Sequence, residues 1–267
     1  MVCFFRNYGK EFLGILKKFK ELNRNMKERI LMIVLLLFLL NCKKETSPQE
    51  AISEKNVQES PAEESKVKSE VKVPEGFKVL AEVKGDLDSD GVEELVVVYD
   101  TPKKTEMGTE RQLHIFQKDN NNWKPWMQNS TVVLPSLHGG AMGDPFEEVQ
   151  VENGSIVVKH FGGSREKWHY THRYRFQNSD WSLIGATVVV SVPCEQSETF
   201  DYNISTGKVE VELAKETCSA DGEPVGEPKK SKKEYKTPKT VVKMDGFTPG
   251  VNQKLLGKGK KQKEFYF

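Results

Sequence analysis

The sequence predicts an all-β fold built as an antiparallel meander of short strands. Three observations carry this. Through residues 76–228, apolar side chains recur with a period of two, the spacing of a strand with one face in a core. Clusters of turn-forming residues interrupt that pattern every 8–14 residues. No stretch of the region combines a helical apolar period with helix caps. Together they predict a sandwich, or an open barrel of partial propeller-like character.

The elements follow in order. Phe77, Val79, Ala81 and Val83 fall on one side of a first strand, and Leu95, Val97 and Tyr99 mark a second. Residues 112–117 and 123–127 flank a polar run, 118–122, suited to a hairpin loop. Asn153-Gly154 separates residues 147–152 from 155–161. This pair supplies the two positive φ angles of a type I′ turn and is the strongest short hairpin signal in the chain. Gly162-Gly163-Ser164 turns the chain again, residues 177–180 join 168–176 to 181–192, and Ser205-Thr206-Gly207 joins 200–204 to 208–213. On the strand over 168–176, Trp168, Tyr170, His172, Tyr174 and Phe176 share one face. His169, Thr171, Arg173 and Arg175 share the other. His169 and His172 therefore point apart and cannot chelate one ion, and His172 is expected among aromatic core residues.

The N-terminal region reads as an address. Residues 30–40 form an apolar run of eleven after Lys27-Glu28-Arg29. A membrane-spanning helix needs about 20 residues, whereas the apolar region of a signal peptide needs about 7–15. The run therefore predicts export. Leu39-Leu40-Asn41-Cys42 resembles the lipobox of bacterial lipoproteins. The resemblance implies cleavage before Cys42, lipidation of Cys42 and anchoring to a membrane of the bacterial cell envelope, on the periplasmic or the outer side. Met26 begins a complete signal peptide, 26–41, so residues 1–25 read as an upstream extension. An amphipathic surface helix is the alternative reading of 1–25.

Charge divides the remainder. Residues 43–75 carry 6 Lys and 8 Glu, have no aromatic side chain and cannot bury enough surface to fold. With Cys42 they are expected to form a disordered tether, 42–75. Residues 76–228 carry 14 Lys or Arg against 25 Asp or Glu, and hold all four tryptophans; this is the expected β domain. Residues 229–267 carry 12 Lys against 3 acidic residues and read as a basic tail. Anionic lipid, an anionic envelope polymer or the acidic body are the partners such a tail could take, with a solvated tail that has no specific partner as the alternative; nucleic acid is not expected for an exported protein. Cys194 and Cys218 are the only cysteines of the body. An oxidising compartment predicts a disulfide between them, with two buried thiols as the alternative.

One segment has a chemical pattern. Residues 85–95 place carboxylates at alternate loop positions, Asp86, Asp88 and Asp90, then Glu94, with Gly91 at the sharp turn and the Val92 carbonyl available as a further ligand. Hard divalent cations take six to eight oxygens, and carboxylates crowded on one side of a loop repel without a counterion. The helix-flanked calcium loop of the EF-hand needs an acidic twelfth position, which here is Val97. The segment instead resembles the hairpin calcium loops of integrin-type FG-GAP and VCBS repeats, over about 20 residues. The resemblance implies Ca²⁺ held by Asp86, Asp88, Asp90, Val92 and Glu94, in a structural role. A metal-free acidic turn is the alternative.

Catalytic patterns are weak. His138-Gly139-Gly140 comes without a G-x-S-x-G nucleophile, and Ser164-Arg165-Glu166-Lys167 matches S-x-x-K at a turn instead of at a helix start. A zinc site from His138, Asp144 and His160 has no supporting local spacing. The sequence thus points to a non-catalytic binding, adhesion or envelope-interaction role. An exported hydrolase using the region from His138 to His172 is the alternative.

Overall fold

The computed structural model describes residues 69–120, 122–259 and 262–267. The expected upstream extension and signal peptide, Cys42, and most of the expected tether lie outside the described residues. The body is all β and antiparallel, as expected, and does not close into a barrel.

Four strands form a first sheet in chain order: β1 (Lys78–Gly85), β2 (Glu94–Thr105), β3 (Gly108–Asp119) and β4 (Asn122–Asn129). A larger sheet continues the meander with β5 (Phe146–Glu152), β6 (Ser155–Gly163), β7 (Lys167–Gln177), β8 (Asp180–Val192), β9 (Gln196–Asn203), β10 (Lys208–Lys215) and β11 (Lys229–Lys236). The short β12 (Val242–Lys243) pairs with the start of β8, beyond the end of β9. A final hairpin comprises β13 (Gln253–Leu256) and β14 (Lys263–Tyr266). Most paired strands are neighbours in sequence joined by short turns, whereas β10 and β11 pair across the longer segment 216–228. At the predicted type I′ turn, Asn153 and Gly154 have φ of 49° and 67°.

One core joins the two sheets. Val96, Val98, Leu113 and Ile115 of the small sheet pack in the same cluster as Ile156, Val158, Tyr174, Val188, Phe200 and Val211 of the large one. A second cluster lies on the opposite face of the small sheet, where Leu95, Val97, Tyr99 and Phe116 meet Val71, Val73, Phe77 and Val79. Residues 95–99 are consequently buried on both faces.

Three expectations need correction. β1 does not present one apolar side. A register shift between Val79 and Ala81 changes the parity, so Val79 faces the second cluster while Ala81 and Val83 face the main core. The tether does not extend to residue 75, because Val71 and Val73 cover the small sheet. The basic segment 229–267 is not a tail outside the domain. It supplies β11 to β14, and its Met244, Phe247, Leu256, Phe265 and Phe267 are buried in the main core. The lysines hid this because apolar residues spaced along the segment do the docking, while the charges stay at the surface. Lys230 and Lys232 pair with Glu212, and Lys208 with Glu210 and Glu234, so the acidic body is their neighbour.

Candidate metal centre

The acidic loop joins β1 to β2, within a hairpin. Leu87, only 2% exposed, pins its first turn into the main core, and the flanking carboxylates therefore sit at the rim of the sheet. Short side-chain-to-backbone hydrogen bonds fold the loop. Ser89 N donates to Asp86 Oδ1 at 2.7 Å and Gly91 N to Asp86 Oδ2 at 3.0 Å. Asp90 N donates to Asp88 Oδ1 at 3.2 Å and Val92 N to Asp90 Oδ1 at 2.7 Å. These are Asx-turn contacts, and they explain why Asp recurs at alternate positions. Gly91 takes φ of 86°, open to glycine without strain.

Asp86, Asp88 and Glu94 are brought together: each offers an oxygen within 4.8 Å of the others. Asp90 stands outside this group, its carboxylate turned to the Val92 N–H, and the Val92 side chain is exposed. Glu94 is 2% exposed, and its Oε2 accepts from Leu87 N at 2.7 Å. Burial raises the Glu94 carboxyl above its ordinary range. The Leu87 N–H acts the other way, and the charges on Asp88, Asp90 and Asp86 push it further up. A divalent cation among the three carboxylates reverses that pressure, because its charge favours the ionised form. The three side chains alone do not fill the shell of Ca²⁺, which leaves room for carbonyls and water.

The disulfide between Cys194 and Cys218 is formed, with Cα atoms 5.2 Å apart. It ties the turn before β9 to the segment after β10.

His138, His160 and His172 lie near enough to influence one another electrostatically, but among the described residues they do not come within ligand distance of a shared ion. His172 is fully buried between Tyr170, Tyr174 and Phe247, as its strand face predicts. His160 is also enclosed, and its Nε2 accepts from Leu134 N at 3.2 Å, which places the proton on Nδ1. Burial first, and Arg111 next, hold His160 down to about 3; burial holds His172 down to about 3 as well. His169 lies on the other face, half-exposed, near Glu147. Asp144, one corner of the conceivable zinc site, is occupied by Arg111: Nη1 and Nη2 donate to its two carboxylate oxygens.

Arg111 itself was not singled out from sequence. It is 2% exposed and also donates to Asp100 Oδ1 at 3.0 Å and to Leu134 O at 3.3 Å. The signal was present: Arg111 shares the inward parity of Leu113 and Ile115, and a cation at a core position demands partners.

Comparison with known proteins finds no matching family model, no curated relative and no matching solved structure.

Proposed function

We propose that this chain is a lipid-anchored protein of the bacterial envelope whose β body acts as a non-catalytic binding module braced by a calcium ion. The observation that carries the metal is the convergence of Asp86, Asp88 and Glu94 within 4.8 Å, with Glu94 buried. A buried carboxylate beside other carboxylates is stable as an anion only with positive charge close by. The hairpin context agrees with the resemblance to FG-GAP and VCBS calcium loops, and Leu87 couples the loop to the core, so bound metal reinforces the sheet. Export and anchoring rest on residues 26–42, and the Cys194–Cys218 disulfide suits an oxidising compartment. The non-catalytic reading is supported by the enclosure of His160 and His172, which leaves neither ring reachable by a substrate.

Thermal unfolding of the full chain tests the metal. A ligand at about 100 times its Kd stabilises by about 3 kcal/mol, and for a body of this size each kcal/mol moves Tm by about 2–4 °C. A Tm higher by roughly 5–10 °C in saturating Ca²⁺ than in chelator is expected, and no difference for Asp86→Asn/Asp88→Asn. Identical wild-type curves reduce the loop to a hydrogen-bonded acidic turn. Incorporation of labelled fatty acid, lost in Cys42→Ala, tests the anchor separately.

A further inference from the structure

One end of the large sheet's inner face is incompletely covered. Across strands β7, β8 and β9, Tyr170, Val188 and Phe200 form one row, and Trp168, Val190 and Glu198 form the next. Val188 and Phe200 are buried, but Trp168, Val190 and Glu198 are only partly so. A cleft of about 510 Å³ opens there between the sheet and the β13–β14 hairpin, a size suited to a small organic molecule.

Its chemistry is one-sided. Aromatic rings line it: Trp168 and Tyr170 stack with centroids 4.7 Å apart, and Phe265 stacks on Phe200 at the same separation. Val188 and Val190 form an apolar floor. The polar groups at the rim are carboxylates, Glu166, Glu198 and Glu264. Among the described residues, Lys263 neutralises Glu198 while Gln253 donates a neutral hydrogen bond to Glu264 at 2.7 Å, so the rim's remaining negative charge is that of Glu166 and Glu264. Aromatic faces attract cations through their quadrupole, and carboxylates add full charge. An anion meets repulsion here, and a neutral apolar molecule gains the rings and the floor but nothing from the rim.

We propose that this cleft binds a small organic ammonium ion, its charged head beside Glu166 and Glu264 and its apolar body against Trp168, Tyr170 and Phe265. The site depends on neither the lipid anchor nor the calcium loop, and it is read from the cleft alone.

The test uses the full chain and three probes of one size: benzyltrimethylammonium, benzyl alcohol and benzenesulfonate. Binding is followed by calorimetry and by the NMR shift of the Trp168 indole N–H. Saturable binding of the cation is expected, at least about tenfold stronger than that of the alcohol, with none for the sulfonate. Glu166→Gln/Glu264→Gln changes two exposed carboxylates and leaves the core intact; it is expected to weaken the cation by about fivefold or more while leaving the alcohol unchanged. Trp168→Leu is expected to weaken both cation and alcohol. Equal binding of the three probes, no shift of Trp168 at millimolar cation, or an unaltered affinity in Glu166→Gln/Glu264→Gln each overturns the proposal. Should Trp168→Leu fail to fold, the glutamine variant alone decides.

Discussion

Asp144 and Arg111 differ in what each leaves behind when it is removed. The Arg111 side chain is 1% exposed, whereas that of Asp144 is 51% exposed. Truncating Asp144 strands a buried guanidinium on Asp100 and the Leu134 carbonyl. Replacing Arg111 with an apolar side chain leaves Asp144 and the less exposed Asp100 to hydrate and fills the same space. Breaking a buried pair typically costs about 3–5 kcal/mol, while exchanging its buried member for a hydrophobe costs far less. Asp144→Ala is therefore expected to lose about 3 kcal/mol in urea unfolding and Arg111→Met clearly less. The opposite order would mean that Arg111 contributes mainly by its own charge. The same logic separates the loop acids. Glu94→Gln keeps an acceptor for the Leu87 N–H and removes a buried charge, so in chelator it is expected to unfold at or above the wild-type temperature, and to lose the response to Ca²⁺.

The hairpins were the most legible elements. Asn-Gly at 153–154 dictates both the turn and the register of β5 on β6, because only residues tolerant of positive φ close a two-residue loop there. A Cβ at Gly154 would meet only the Asp86 carbonyl, at 3.7 Å, an ordinary contact. Gly154→Ala is thus a clean measure of backbone strain, expected to cost about 1–2 kcal/mol by denaturant titration with no change in m-value. A neutral result would show that the turn relaxes to another type. The bulge in β1 was not legible. Phe77, Val79, Ala81 and Val83 keep period two in sequence, and nothing in it marks Leu80 as the residue where pairing slips. Such parity changes depend on what each face meets, here Val71 and Val73 on one side and the large sheet on the other. β11 failed as an expectation for a related reason. A lysine-rich edge strand resembles a solvated tail, yet lysines on an edge are how sheets discourage further pairing.

Burial determines which parts of the domain depend on one another. The C-terminal segment read as a tail contributes Met244, Phe247, Leu256, Phe265 and Phe267 to the main core. Phe247 contacts His172 directly, so the end of the chain seals the polar groups of the inner sheet face. His172 has no hydrogen-bond partner on either ring nitrogen, and His160 none on Nδ1, among the described residues. Both are held neutral, with folded values of about 3 against 6.5 for the free side chain. The sign follows from linkage. Below pH 6.5 the unfolded chain binds protons that the folded chain refuses, so stability is full above that value and declines as pH falls towards 3. At pH 5 the loss amounts to about 2 kcal/mol for each histidine. Glu94 acts in the opposite sense, since its raised carboxyl takes up a proton more readily when folded. Acid destabilisation between pH 7 and pH 5 is therefore assigned first to His160 and His172, with His114 and His138, also lowered by burial, adding in the same sense. His172→Phe keeps the ring among Tyr170, Tyr174 and Phe247 and removes two unsatisfied nitrogens. It is expected to be as stable as wild type or more so at pH 7, and to lose about 2 kcal/mol less on passing to pH 5, measured by urea midpoints at both values. A pH dependence unchanged by His172→Phe would show that this ring is already protonated, or already hydrated, in the folded chain.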